Sequence, residues 1–251
     1  MKRPVHFKNP QGEQLAGTLH LPDTTTDRGI VLAHCFTCSR HTGILRQLGH
    51  DFAKSGFLVL RFDFSGNGQS EGNFTQSTYT KQISEMKIAC DIISSRGVSH
   101  IGLAGHSMGA VIALLTAVEI KTAKAVCTIA GRLSGMTATR FLNRAQQNEL
   151  DQTGRVAFTS RGRQLMLTRD FFSDAGRFDL PALISGLKIP LLIVHGDQDE
   201  IIPVDEAYIP RNPGPEKTEM ASISGADHMF SNRDHRKSVS RQIVTWFDTQ
   251  I

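Results

Sequence analysis

The sequence of 251 residues has no long apolar run, few cysteines and little net charge. No segment approaches the roughly 18 consecutive apolar residues of a membrane helix, and residues 1–10 lack the apolar core of a secretory signal. The four cysteines are too few for the disulfide framework of a small secreted domain. The formal charge of +4 comes without a basic run interleaved with aromatics. We therefore expect a cytoplasmic protein that binds neither nucleic acid nor membranes, with homo-oligomerisation left open.

Strand and helix patterns alternate along the chain. Residues 1–21 have the pattern of a hairpin with an N-P-Q-G turn. Apolar runs typical of buried parallel strands occur at 29–34, 57–62, 100–104, 123–129 and 189–194. Helical periodicity occupies 43–55, 78–95, 107–120 and 236–249. The sequence predicts an α/β fold with a mostly parallel sheet, helices on both faces, and functional groups at the carboxyl ends of the strands.

One stretch, residues 131–186, interrupts this alternation. It shows no clear strand, and it contains eight arginines, no lysine and five phenylalanines. We expect a helical cap inserted into a core built from residues 1–130 and 187–251. The phenylalanines fit either a cap core or a ligand wall, and the arginines fit either solvated side chains or contacts with an acidic substrate. The phenylalanines are Phe141, Phe158, Phe171, Phe172 and Phe178.

A candidate nucleophile lies in G-H-S-M-G, between an apolar strand and an apolar helix. Gly105 and Gly109 suit a turn so sharp that backbone crowds backbone, where a Cβ would not fit. Such a turn exposes the Ser107 hydroxyl at the top of the sheet. It also directs the Met108 backbone N–H to the place where an oxyanion would form. His106 should point away from the nucleophile and serve in packing.

Candidates for the acid and the base follow later in the chain. The loop after the strand at 189–194 offers three carboxylates, Asp197, Asp199 and Glu200. The tight G-A-D-H loop after the last strand offers His228, and His235 is an alternative. His195, at a strand end, is expected to be structural. The order Ser, then Asp, then His is the one that α/β hydrolases use.

These motifs resemble the α/β-hydrolase superfamily. The family's acid motif D-x-[IV]-[VI]-P matches residues 199–203, which implies Asp199 as the acid, and the family's histidine loop implies His228 as the base. The family's H-G-x motif falls on H-C-F, so the Phe36 N–H would be the second oxyanion donor, with Cys35 where glycine is usual. The H-C-F-T-C string and the R-F-D-F-S-G-N-G-Q-S-E-G segment are similar to small-capped cinnamoyl or feruloyl esterase-like hydrolases, and to the hydrolase half of proteins fused to an OsmC-like redox domain.

Three further features carry little functional signal. His34, Cys35, Cys38 and His41 are too close in sequence to wrap a tetrahedral metal easily, so we expect no metal site and give a redox pair little weight. Cys90 and Cys127 fall in a helix and a strand, where a buried thiol is usual. The glycine-rich loop at 65–72 departs from a dinucleotide fingerprint, because Glu71 stands where glycine or alanine is needed; no cofactor is expected.

Together these residues predict a serine hydrolase acting on a small-molecule carboxylic ester with a short-chain or aromatic acyl group. His228 would deprotonate Ser107, two backbone amides would hold the oxyanion, and water would release the acyl-enzyme. A thioesterase or an acyltransferase could use the same triad. A non-catalytic binding protein would normally have lost one of the three residues.

Overall fold

The computed structural model describes residues 1–208 and 218–251. The strands are β1 (Lys2–Lys8), β2 (Gln14–His20), β3 (Arg28–Ala33), β4 (Leu58–Phe62), β5 (His100–His106), β6 (Ala123–Ile129), β7 (Arg155–Ser160), β8 (Arg163–Thr168), β9 (Leu191–Gly196) and β10 (Thr218–Ile223). The helices are α1 (Gly43–Lys54), α2 (Tyr79–Ser94), α3 (Met108–Glu119), α4 (Ala138–Phe141), α5 (Arg144–Thr153), α6 (Arg169–Ala175), α7 (Leu180–Ser185) and α8 (Arg233–Gln250). Short 3-10 turns lie at Phe74–Gln76 and Val204–Ala207.

Eight of the described strands form one sheet in the order β1-β2-β4-β3-β5-β6-β9-β10. The β1–β2 hairpin lies at one edge and pairs antiparallel with β4, whereas every pair from β4 to β10 is parallel. The predicted α/β fold and N-terminal hairpin are therefore confirmed. Because the parallel strands share one direction, the loops after β3, β5, β9 and β10 meet at the same edge of the sheet.

Apolar side chains cover both faces of the sheet. On one face, α1 and α8 meet through Phe52 and Phe247, whose ring centroids lie 5.4 Å apart. On the other face, buried residues of α2 and α3 form a cluster that continues into residues 142–187. Burying both faces explains why the inner strands have nearly continuous apolar runs. No helix in the described parts of the chain is both long and apolar enough to span a bilayer.

The segment at 131–186 differs from its prediction. It contains α4 to α7, but residues 155–168 form an antiparallel hairpin of β7 and β8, so the expectation of no strand here is wrong. Each of these strands buries few side chains, Val156 and Leu167 among them. A hairpin with one solvated face has no continuous apolar run, and the prediction had relied on such runs.

The turn from β5 to α3 is as tight as its glycines predict. A Cβ added at Gly105 would lie 2.0 Å from the Gly109 carbonyl oxygen, and one added at Gly109 would lie 2.4 Å from the Ala33 carbonyl oxygen. Only glycine allows backbones to approach this closely. The turn therefore places residue 107 at the carboxyl edge of the sheet, between β5 and the first residue of α3.

Candidate active site

Ser107 occupies a strained position at the tip of this turn. Its backbone has φ +58° and ψ −120°, a region that residues with a side chain rarely adopt, at a cost of about 1–3 kcal/mol. The Ser107 N–H donates to the Ile129 carbonyl at 2.8 Å, which ties the turn to the end of β6. Its side chain lines a cavity of about 500 Å³. The fold thus maintains a costly conformation that presents this hydroxyl to the cavity.

Asp199 and His228 are in direct contact beside the same cavity. The carboxylate oxygen Oδ2 of Asp199 lies 2.8 Å from Nδ1 of His228. The other oxygen, Oδ1, accepts the backbone N–H groups of Ile201 at 2.9 Å and Ile202 at 2.7 Å. Contact at Nδ1 leaves Nε2 of His228 available toward the cavity, which both His228 and Ser107 line. The structure contains no hydrogen bond between Ser107 and His228, and such contacts often form only with substrate bound.

The environment of Asp199 keeps its carboxyl ionised. Burial by itself raises the pKa of this carboxyl, but hydrogen bonds from His195, His228 and the Ile202 amide outweigh burial and hold the pKa well below its usual range. An ionised carboxylate at Nδ1 can orient the imidazole and stabilise its protonated form.

His195 belongs to this arrangement, although the sequence favoured only a structural role for it. It is fully buried, and its Nε2 lies 3.2 Å from Oδ2 of Asp199 and 3.0 Å from the Ile202 carbonyl oxygen. Since both neighbours are acceptors, Nε2 carries the proton and donates to them. His195 therefore positions the carboxylate rather than acting on substrate. The sequence offers one signal for this role, because His195 lies four residues before Asp199 in the chain.

The competing candidates occupy other places. Oδ1 of Asp197 accepts the Gly225 N–H at 2.7 Å and so fixes the start of the histidine loop. Glu200 lines the cavity, and its Oε2 accepts the His228 backbone N–H at 3.3 Å. His235 lies in the first turn of α8, next to Gly225. Of the three, only Glu200 reaches the cavity, and none of them contacts the imidazole of His228 through its side chain.

His106 does more than pack. Its fully buried ring donates from Nε2 to the His228 carbonyl oxygen at 2.7 Å, and the two ring centroids are 5.0 Å apart. Burial, followed by the proximity of His228, lowers the pKa of His106 to about 3, so the ring is neutral with its proton on Nε2. This side chain joins the nucleophile turn to the histidine loop, a long-range contact that the sequence does not reveal.

Removing the N–H donor of the His106 side chain should weaken catalysis. We expect His106→Phe, which keeps a ring but leaves the buried His228 carbonyl unpaired, to lose about 1–3 kcal/mol of stability and to lower kcat by roughly tenfold. His106→Gln keeps an N–H donor and should retain more activity. Ester turnover and thermal unfolding of both variants check this; equal kcat values for His106→Phe and the wild-type protein would contradict it.

Two backbone amides beside the cavity are candidates for the oxyanion donors. Met108 is the first residue of α3, so its N–H has no acceptor within the helix. Phe36 follows β3 and lines the cavity, and its N–H makes no hydrogen bond within residues 1–208 and 218–251. The buried ring of His34 places Nδ1 2.8 Å from the Cys35 carbonyl oxygen and accepts the Phe64 N–H at Nε2. Because C=O and N–H of one trans peptide point in opposite directions, this bond orients the Phe36 N–H.

Cys35 and Cys38 form a disulfide on either side of Phe36 and Thr37. The sequence does not predict this pairing; the turn after β3 makes it possible by bringing the two Cα atoms within 5.3 Å. The bond also leaves neither sulfur as a free thiolate ligand. Within the described residues no cluster of three or more metal-ligating side chains is found. Cys90 and Cys127 are buried free thiols, in α2 and β6.

The glycine-rich loop at 65–72 contributes no residue to the lining of the main cavity. A Cβ on Gly68 would lie 2.2 Å from Asp63, whose buried carboxylate forms an ion pair with Arg40. Gly68 lines a smaller cavity of about 320 Å³ together with Thr37 and Cys38. The loop therefore packs against the Arg40–Asp63 ion pair, and the Gln69 N–H donates to the same carboxylate at 3.0 Å.

Residues from 131–186 supply one wall of the main cavity. Of the five phenylalanines, Phe141 lines the cavity, whereas Phe171 and Phe172 are buried in the apolar cluster. Three of the eight arginines also line it, namely Arg132, Arg140 and Arg161. The phenylalanines are thus divided between the apolar cluster and the cavity wall, and these three arginines lie where a bound molecule would meet them. The remaining apolar lining includes Phe36, Met108, Val111, Met136, Ile201, Ile202 and Met229.

Comparison with known proteins gives relatives of the same fold. A curated relative, mouse (Mus musculus) "Palmitoyl-protein thioesterase ABHD10, mitochondrial", is 27% identical over 172 residues, which are 66% of this chain and 57% of the relative. The chain thus matches a little over half of that protein's length. An esterase domain from Rhodothermus marinus is 27% identical, with a TM-score of 0.75 and coverage of 98% of this chain and 97% of that one. Est1E from Butyrivibrio proteoclasticus, solved with ferulic acid, is 21% identical with a TM-score of 0.79 and 98% coverage of both chains.

The family comparison covers more than half of the chain. The Hydrolase_4 family, described as "Serine aminopeptidase, S33", matches residues 25–179, which run from β3 through the turn that carries Ser107 into the inserted segment. This range includes Ser107 and the backbone amides of Phe36 and Met108. The chain therefore belongs to the Hydrolase_4 family and is an α/β hydrolase of the serine-hydrolase type.

Proposed function

We propose that this protein hydrolyses carboxylic esters with a short-chain or aromatic acyl group, through Ser107, His228 and Asp199. The observation that supports this most is the 2.8 Å contact between Asp199 and Nδ1 of His228, beside the cavity that Ser107 lines. His228 takes the Ser107 proton through Nε2 as the hydroxyl attacks the acyl carbonyl. The N–H groups of Phe36 and Met108 hold the oxyanion, and His228 then protonates the leaving alcohol. Water deacylates the enzyme by the same route.

The cavity suits a small apolar acyl group. A volume of about 500 Å³ is within the usual range for small-molecule sites, and half of its lining residues are aromatic, aliphatic or methionine, beside three arginines and a glutamate. Phe36 and Phe141 offer flat apolar faces, with ring centroids 5.4 Å apart. We propose a small-molecule ester as the substrate, no cofactor, and no nucleic-acid or membrane partner. Self-association stays open. The proposed compartment is the cytoplasm.

A thioesterase or acyltransferase is the alternative. The printed name of the mouse relative, a palmitoyl-protein thioesterase, favours the first of these. Both reactions would use the same acyl-enzyme, and they differ from ester hydrolysis in the leaving group or in the acceptor that reaches it.

Two measurements test the proposal. A fluorophosphonate probe should label Ser107, and absence of labelling would favour a non-catalytic binding protein. Turnover of 4-nitrophenyl butyrate and of its thioester analogue, S-(4-nitrophenyl) thiobutyrate, should then show a higher kcat/KM for the ester. A clear preference for the thioester would replace esterase with thioesterase. Acetate and octanoate esters and methyl ferulate define the acyl preference, and added methanol reveals acyl transfer.

A further inference from the structure

We propose that the Cys35–Cys38 disulfide is a redox-modification site that controls the oxyanion donor of Phe36, so that reduction by a dithiol slows hydrolysis at Ser107. The inference rests on the proposed function of this site. It assigns to the two cysteines a role that neither the triad nor the fold requires.

The disulfide closes a short ring around the oxyanion residue. Cys35 and Cys38 are the ends of a four-residue turn, with Cα atoms 5.3 Å apart and a hydrogen bond of 3.1 Å from the Cys38 N–H to the Cys35 carbonyl oxygen. Phe36 and Thr37 are the two central residues. The Cys35 carbonyl oxygen belongs to the same peptide as the Phe36 N–H, so a change in this turn rotates that donor.

The turn contains a conformation that needs restraint. Thr37 has φ +57°, in the left-handed region that a β-branched residue rarely adopts. Such a residue persists only where its surroundings hold it in place. One restraint is the contact of its Oγ1 with Ser160 Oγ at 2.7 Å, and another is the disulfide. Once the disulfide is cleaved, the turn can relax toward negative φ at Thr37, which moves the Phe36 peptide away from the oxyanion position.

Cys35 and Cys38 are both buried, at 3% and 5% exposure, but each residue lines a cavity. Cys35 lines the active-site cavity and Cys38 lines the neighbouring smaller one. Arg161 lines both cavities, and its positive charge favours an attacking thiolate there. Cys90 and Cys127 are buried away from both cavities. A small dithiol that enters either cavity therefore meets Cys35 or Cys38 and neither of the other two cysteines.

The exchange is a two-electron reduction. One thiolate of the dithiol attacks a sulfur of the disulfide, the Cys35–Cys38 bond breaks, and the released cysteine takes up a proton. The second thiol of the reductant then attacks the mixed disulfide, which frees the other cysteine and leaves the reductant oxidised. An oxidised dithiol reverses the reaction. In the cytoplasm, the compartment we propose, protein disulfides are usually transient and often redox-sensing.

The test measures thiols and turnover on the same samples. The full-length protein is equilibrated in buffers of reduced and oxidised dithiothreitol, freed of them by gel filtration without oxygen, and assayed with 4-nitrophenyl butyrate. We expect titratable thiols in the denatured protein to rise from two to four. Since loss of one oxyanion donor costs about 10²–10³ in rate, kcat should fall at least about tenfold while KM changes less. Reoxidation should restore it.

Two variants separate this effect from general damage. Cys38→Ala removes the disulfide by replacing a residue that does not itself line the main cavity; its kcat should match the reduced enzyme and not respond to dithiothreitol. The double variant Cys90→Ala/Cys127→Ala should keep the full response, because only the two buried thiols are lost. Thermal unfolding of each protein shows whether it is folded, and chemical reduction of the wild type serves if Cys38→Ala does not fold.

The outcomes distinguish the two proposals. Four free thiols before reduction, or two new thiols with unchanged kcat, would overturn the redox inference and leave the esterase proposal intact. A folded Cys38→Ala protein with wild-type kcat would overturn it as well. An oxidised protein that turns over no ester and takes up no fluorophosphonate would instead remove the proposed function, and the redox inference that rests on it.

Discussion

Replacing Ser107 with alanine is expected to lower kcat for ester hydrolysis by a factor on the order of 10⁶, because the acyl-enzyme can no longer form. The residual rate would come from the oxyanion donors and the cavity alone. Alanine fits the turn no worse than serine, since the positive φ burdens both side chains alike. The folded state should therefore be preserved, and steady-state turnover with 4-nitrophenyl butyrate measures the loss.

The matched control is Ser95→Ala. Ser95 follows α2 and is exposed. Because it precedes β5, it lies at the opposite edge of the sheet from the turn that carries Ser107. This variant should keep wild-type turnover and fluorophosphonate labelling, whereas Ser107→Ala should lose both. Unimpaired hydrolysis by Ser107→Ala would remove the nucleophile assignment.

Replacing Asp199 with asparagine is expected to produce the second large effect, a fall in kcat by a factor of about 10⁴. The asparagine side chain preserves the size of aspartate, and its oxygen can still accept hydrogen bonds from the backbone N–H groups of Ile201 and Ile202. It removes the negative charge at Nδ1 of His228, and an amide nitrogen facing Nδ1 would favour the wrong tautomer of the imidazole. The change should reduce kcat far more than KM, because the charge matters most when His228 is protonated.

Asp197→Asn provides the same chemical change two residues away. Its Oδ1 accepts the Gly225 N–H, and an asparagine oxygen can do the same, so its kcat should stay within a few-fold of wild type. Comparing the two asparagine variants decides between Asp199 and Asp197, two of the three carboxylates that the loop offers. Similar losses in both would show that the loop as a whole, rather than the Asp199 charge, is required.

Local sequence patterns predicted the sheet and the turn from β5 to α3 because each depends on neighbouring residues. Buried parallel strands require apolar runs, and Gly105 and Gly109 mark a turn where no Cβ fits. The choice of Asp199 over Asp197 came from a short motif, and the hydrogen bonds of Asp199 are consistent with it.

The features that the sequence missed depend on distant contacts or on weak local signals. The bond of His106 to the His228 carbonyl spans 122 positions, so no local pattern contains it. The β7–β8 hairpin is solvated on one face, and its strands lack the apolar run by which the others were found. The spacing of Cys35 and Cys38 was visible, but their pairing depends on how sharply the chain turns after β3.

Phe36 has two roles: its backbone belongs to the proposed oxyanion site, and its ring packs against the inserted segment. Its N–H is the proposed oxyanion donor, while its ring stacks on Phe158 at 5.6 Å and meets Phe141 edge-on, both from the inserted segment. Exchanging that segment for the corresponding part of a relative, in order to transfer acyl preference, would therefore disturb turnover as well as substrate choice. A working chimaera would have to carry position 36 and its aromatic neighbours along with the transplanted segment.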